Sequence, residues 1–130
     1  MPLELQMVMY AIALAFAHLA MYAILANIEV GVGYTGGPRD KPPVGLSVHT
    51  QRMGRAYANC VETLPWFGLA MITAHLGQKV DAAVITAGWV YLAARIAYVP
   101  AYLFPVSLLR SAIWSLATAA ILFIVFRALS

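Results

Sequence analysis

The chain has 130 residues, of which 63% are hydrophobic and only 10% charged, with a formal net charge of +3. A soluble domain of this size needs far more charge to cover its surface, so the composition excludes one and indicates an integral membrane protein. The single cysteine, Cys60, excludes an internal disulfide, and the lack of a basic run interleaved with aromatics argues against nucleic-acid binding.

The first segment, LQMVMYAIALAFAHLAMYAILANI, predicts a membrane-spanning helix over about residues 5–28, since a crossing needs roughly 20 apolar residues. The N-terminal MPLELQMVMY has no basic n-region and carries Glu4, so the segment is expected to remain as a helix and not to be cleaved. The stretch VGYTGGPRDKPPVG follows, and its glycines and prolines exclude a continuous helix. Its GVGYTGG is not a dinucleotide fingerprint, because no strand precedes it and no helix follows directly.

The second segment spans about residues 48–76. Its first half, RMGRAYANCVETLP, is polar and its second, WFGLAMITAHL, apolar, with Gly77 placed as a helix C-cap. The third segment covers about residues 80–104, with Asp81 near its start, where a negative charge suits a helix N-terminus. The fourth covers about residues 107–126. The expected fold is an all-α integral membrane protein: one domain over residues 1–130, built as a bundle of four transmembrane helices. Its two short connections imply antiparallel neighbours.

Lys and Arg set the expected orientation. Arg39, Lys41, Arg52, Arg55 and Arg110 fall on one side, and only Lys79 and Arg127 on the other. The first group is expected to face the cytoplasm, with both termini opposite.

The polar half of the second segment is not randomly polar. At about 100° per residue, Arg52, Arg55, Asn59 and Glu62 fall within an arc of about 80°. Glu62 lies about 15 Å further along the helix than Arg52, well inside the apolar zone. A carboxylate there is costly unless it faces the bundle interior and has a partner. On the third segment Arg95, Tyr98 and Tyr102 share an arc of about 60°, and Arg95 is expected to meet Glu62 at similar depth. Arg110 and Ser111 open the fourth segment on the same side. Such a pocket suits a ligand with carboxylates, an amine and a peptide-like body, because arginine forks fit carboxylates and Glu62 fits an ammonium group. The alternative is a self-neutralising network that only locks the helices. Four arginines beside one carboxylate favour the anionic ligand.

These residues resemble the RxxRAxxNxxExxP signature of the membrane-associated proteins in eicosanoid and glutathione metabolism, the MAPEG family. Here it stands as Arg52, Arg55, Ala56, Asn59, Glu62 and Pro65. The later ARIAYVPAYLFPVSLLRS is similar to the family's second block, with Arg95, Tyr98, Tyr102, Arg110 and Ser111. The chain looks most like the small bacterial branch. The resemblance implies a homotrimer in the lipid bilayer that binds glutathione as co-substrate between adjacent subunits. By it Arg55, Asn59 and Glu62 hold the tripeptide backbone, with Glu62 toward the amine. Arg52, Arg95, Tyr98, Tyr102 and Ser111 complete the binding site, and Arg110 stabilises the thiolate as the catalytic residue. The sequence departs from some members in lacking an arginine late in the first helix, where only Arg39 in the loop stands as a substitute.

The implied function is a glutathione-dependent membrane transferase or peroxidase acting on lipophilic electrophiles, in a bacterial inner membrane with the polar site toward the cytoplasm. The competing class is a non-catalytic membrane protein of the same fold, a binding or assembly subunit. A small multidrug transporter fits poorly, because Glu4 and Glu29 lie only at the ends of the first segment. Metal spacing is lacking. His18, in mid-membrane, reads as a donor to a neighbouring helix. Cys60 and the tryptophans Trp66, Trp89 and Trp114 read as packing and lipid contacts. Ser111, Ser115 and Thr118 share one face, which suits close helix packing.

Overall fold

Apolar runs of this length leave the backbone one economical solution in lipid, since a helix satisfies every N–H and C=O within its own segment. In the computed structural model, which describes residues 1–38, 45–104 and 107–130 and the side chains of all these but 35, 102, 103 and 107, that solution is realised throughout. The elements are α1 (Leu3–Val30), the single turn α2 (Val32–Thr35), α3 (Val48–Leu76), α4 (Ala82–Leu103) and α5 (Ser107–Leu129). Leu3–Val30, Ala82–Ala101 and Leu108–Leu129 are each long and apolar enough to cross a membrane. The polar first half of α3 keeps its hydropathy lower, although it is as long as the others.

The helices pair as α1 with α3 and α4 with α5, and the two pairs meet around a core. Met7, Phe67, Met71, Val84, Tyr91 and Ile124 are fully buried there. Close approach depends on small residues, as in membrane bundles generally. A Cβ at Gly88 of α4 would meet the Met7 sulfur at 2.7 Å, and one at Gly54 of α3 would meet the Tyr22 ring at 2.7 Å. Gly54 therefore lets α1 lie against the segment of α3 that carries the polar stripe. Further along, the Phe67 and Tyr91 rings stack with centroids 4.2 Å apart, and the Thr63 and Tyr91 hydroxyls hydrogen-bond at 2.9 Å. These contacts fix α3 against α4.

Side chains also fasten the helix ends. Ser47 is the N-cap of α3 and its hydroxyl accepts from the Thr50 N–H at 3.2 Å. Glu29, at the end of α1, accepts from the Ser47 N–H and from both the Ser47 and Thr50 hydroxyls. One carboxylate thus ties the exit of α1 to the entry of α3. Asp81 caps α4 by accepting from the Val84 N–H at 3.0 Å and also pairs with Arg127 near the end of α5. His75 donates Nδ1–H to Glu4 at 2.7 Å, joining the end of α3 to the start of α1.

One local expectation holds: Gly77 is the C-cap of α3. Its φ is −81, and the left-handed residue is Gln78 at φ +57. The Lys79 N–H bonds to the Ala74 carbonyl and the Gln78 N–H to the His75 carbonyl, the pattern of a Schellman turn with Gln78 at C′. His18 donates Nδ1–H to the Leu14 carbonyl at 2.7 Å, one turn back on its own helix, and not to a neighbour. A carbonyl four residues back is always within reach, whereas a cross-helix acceptor has to be supplied.

Candidate functional site

Arg95 is the largest fully buried side chain among the described residues, at 1% exposure. Its Nη1 donates to Asn59 Oδ1 of α3 at 2.9 Å. The guanidinium lies over the Tyr98 ring, 4.7 Å from the centroid, with the Tyr91 ring at 5.9 Å. Nε and Nη2 have no hydrogen-bond partner among the described residues. A buried guanidinium without a counter-charge costs several kcal/mol, which ring faces and one neutral oxygen offset only in part.

The expected Glu62–Arg95 ion pair does not form. Arg95 bonds Asn59, and Glu62 is exposed on the surface of the single chain. The reason is rotation. The buried positions of α3, Met53, Ala56, Cys60, Thr63 and Phe67, define its inner face. The polar stripe lies on the flank of that face, and Glu62 points about 60° further from it than Asn59 does. An arginine arriving from α4 meets Asn59 first.

Tyr98 is buried and also lines a cavity of about 280 Å³ with Arg110, Ser111, Trp114 and Ser115. Asn59, Arg95 and Tyr98 therefore form a connected path from α3 through α4 to the first turns of α5. Arg55 opens elsewhere, on a cavity of about 440 Å³ between α1 and α3, with Tyr22, Leu46, Gln51, Gly54 and Ala58. Arg52 is half-buried. The Tyr102 side chain and Arg39 lie outside the described residues. Deeper in the apolar zone, Trp66, Leu69 and Thr73 of α3 and Thr118, Leu122 and Val125 of α5 line a groove of about 410 Å³. Ser111 and Ser115 thus line the first of these cavities and Thr118 the groove.

The arrangement puts two blocks of polar residues, from separate helices, at one end of the bundle. The MAPEG family profile matches residues 7–130. The chain belongs to the MAPEG family. Neither a curated protein nor a solved structure matches it. In this MAPEG chain the RxxRAxxNxxExxP stretch occupies α3 from the fifth helical residue, Arg52, to Pro65, which lies inside the helix. Proline has no N–H to give the Val61 carbonyl, so α3 loses one intrahelical hydrogen bond beside Glu62.

Among the described residues, no group of three or more His, Cys, Asp or Glu side chains is placed to hold a metal ion. The site's chemistry is that of guanidinium, carboxylate, amide, phenol and hydroxyl. Glu29 was not legible as part of it. Nothing along the chain indicates that a carboxylate from the end of α1 meets Ser47 and Thr50 at the start of α3.

Proposed function

We propose that this MAPEG protein is a glutathione-dependent membrane transferase or peroxidase that conjugates or reduces lipophilic electrophiles. The observation that carries the reading is Arg95, a buried cation with two unpartnered nitrogens, linked through Tyr98 to a cavity that also contains Arg110 and Ser111. A tripeptide with two carboxylates complements that excess of positive charge. In this reading Arg52, Arg55, Asn59, Glu62, Tyr98, Tyr102 and Ser111 hold glutathione, with Glu62 on its ammonium group and Arg95 supporting the site from within. Arg110, in the first turn of α5, holds the sulfur as thiolate. A cation and a helix N-terminus both favour the anion, and the thiolate is the nucleophile.

Arg55 and Glu62 are exposed on the single chain, and Arg55 opens on a different cavity from Arg110. That division supports a homotrimer in which adjacent subunits close the site between them. All four long helices cross the bilayer in this reading. The arginine-rich end lies in the cytoplasm of a bacterial inner membrane, following the bias of Lys and Arg. The apolar groove between α3 and α5 offers the electrophile a path from the lipid.

Titration calorimetry of glutathione into the purified protein in mild detergent, followed by conjugation of a generic aryl halide, tests the proposal. Saturable binding with turnover is expected. Absence of binding overturns it, and binding without turnover points to the non-catalytic alternative.

A further inference from the structure

An asparagine amide offers a carbonyl on one side and two N–H donors on the other, and which side meets the ligand decides what it selects. Arginine carries five donors and no acceptor. A hydrogen bond from Arg95 Nη1 to Asn59 is therefore possible only through Oδ1, the geometry observed at 2.9 Å. This fixes the amide from chemistry alone, where the two ends would otherwise be interchangeable. Arg95 is buried on every side, held over Tyr98 and flanked by Tyr91. Asn59 is only half-buried, on the stripe that ends in exposed Glu62. No acceptor among the described residues takes its amide hydrogens.

We infer that Arg95 is a positioning residue that locks the Asn59 amide with Nδ2 outward, so that this point of the site recognises a carbonyl or carboxylate oxygen and rejects an ammonium group. The inference rests on the proposed glutathione site for its ligand, but not for the orientation of the amide. It assigns Arg95 a place behind the ligand-binding residues. It also makes Asn59 and Glu62, one helical turn apart, opposite in sense: a donor beside an acceptor.

The test uses Asn59→Asp. Aspartate gives Arg95 a charged oxygen in place of a neutral one, and it turns an oxygen toward the ligand in place of an N–H. Its like-charge repulsion with exposed Glu62, three residues on, is smaller than what a buried guanidinium gains from a carboxylate. The ligand-free variant is expected to melt at or above the wild-type temperature in the same detergent, while glutathione affinity falls more than about tenfold. Arg95→Lys, still a donor only, is expected to keep most of the affinity. Arg95→Gln, which can accept as well as donate, frees the amide to turn and is expected to lose it. Wild-type affinity in Asn59→Asp, or equal affinity in the Lys and Gln variants, overturns the inference. A lower melting temperature for ligand-free Asn59→Asp overturns it too. If the wild-type protein binds no glutathione, the proposed function falls, and the ligand-free melting comparison decides by itself whether an oxygen at position 59 faces Arg95.

Discussion

Glu29 at the end of α1 accepts a hydrogen bond from the hydroxyl of Thr50, a residue 1% exposed in the first turn of α3. The same carboxylate takes the Ser47 N–H and hydroxyl, so it satisfies one of the orphan donors that open a helix. Arg52 and Arg55 follow within two turns. The clamp therefore sets where the polar stripe begins relative to α1.

Removing the carboxylate charge should loosen that entry. Glu29→Gln is expected to lower the melting temperature and to weaken glutathione binding, with the helix content by circular dichroism unchanged. Ser47→Ala, which removes the cap hydroxyl, should cost about 1 kcal/mol. Equal melting temperatures for wild type and Glu29→Gln would show that the clamp holds nothing in place.

Gln78 occupies the left-handed C′ position that glycine fills at least cost. Gln78→Gly is expected to stabilise the protein by about 1 kcal/mol, read from the midpoint of an SDS titration in mixed micelles. A lower midpoint would mean that the glutamine side chain contributes more than its backbone strain costs.

Arg110→Ala should separate chemistry from binding. A free thiol has a pKa of about 8.5, so little thiolate exists at neutral pH without help. Lowering it by about two units is worth roughly 2.7 kcal/mol. At pH 7 that shift changes the thiolate fraction about 25-fold, so turnover of the aryl halide should fall by about that factor, while glutathione affinity changes far less, because Arg55, Asn59 and Glu62 hold the peptide. Ultraviolet thiolate absorbance titrated with pH reads the bound sulfur directly. An unshifted thiol in the wild-type complex would remove Arg110 from the catalytic role.

Native mass spectrometry in mild detergent should show three chains, and Arg55→Glu should weaken glutathione binding without changing the helical signal. A clean monomer that still binds glutathione would mean that one chain supplies the whole site.

The sequence by itself determined the class of the molecule. Apolar runs of helix-spanning length leave no alternative in lipid, and α1, α4 and α5 are read from them directly. It also fixed which residues of α3 share a direction, because the helical repeat places Arg52, Arg55, Asn59 and Glu62 on one stripe whatever surrounds them. The two motif blocks carried the family, which the match over residues 7–130 shows. The tertiary structure alone decided what each stripe meets. A helical repeat gives angles within one helix, but not how far that helix is rotated against its neighbours. The inner face of α3 runs through Cys60 and Thr63, so a turn of about 60° gives Arg95 to Asn59 and leaves Glu62 outside. In the same way Glu29 reads as a terminal charge along the chain, and becomes a cap only because the close approach of Tyr22 to Gly54 draws α1 against the start of α3.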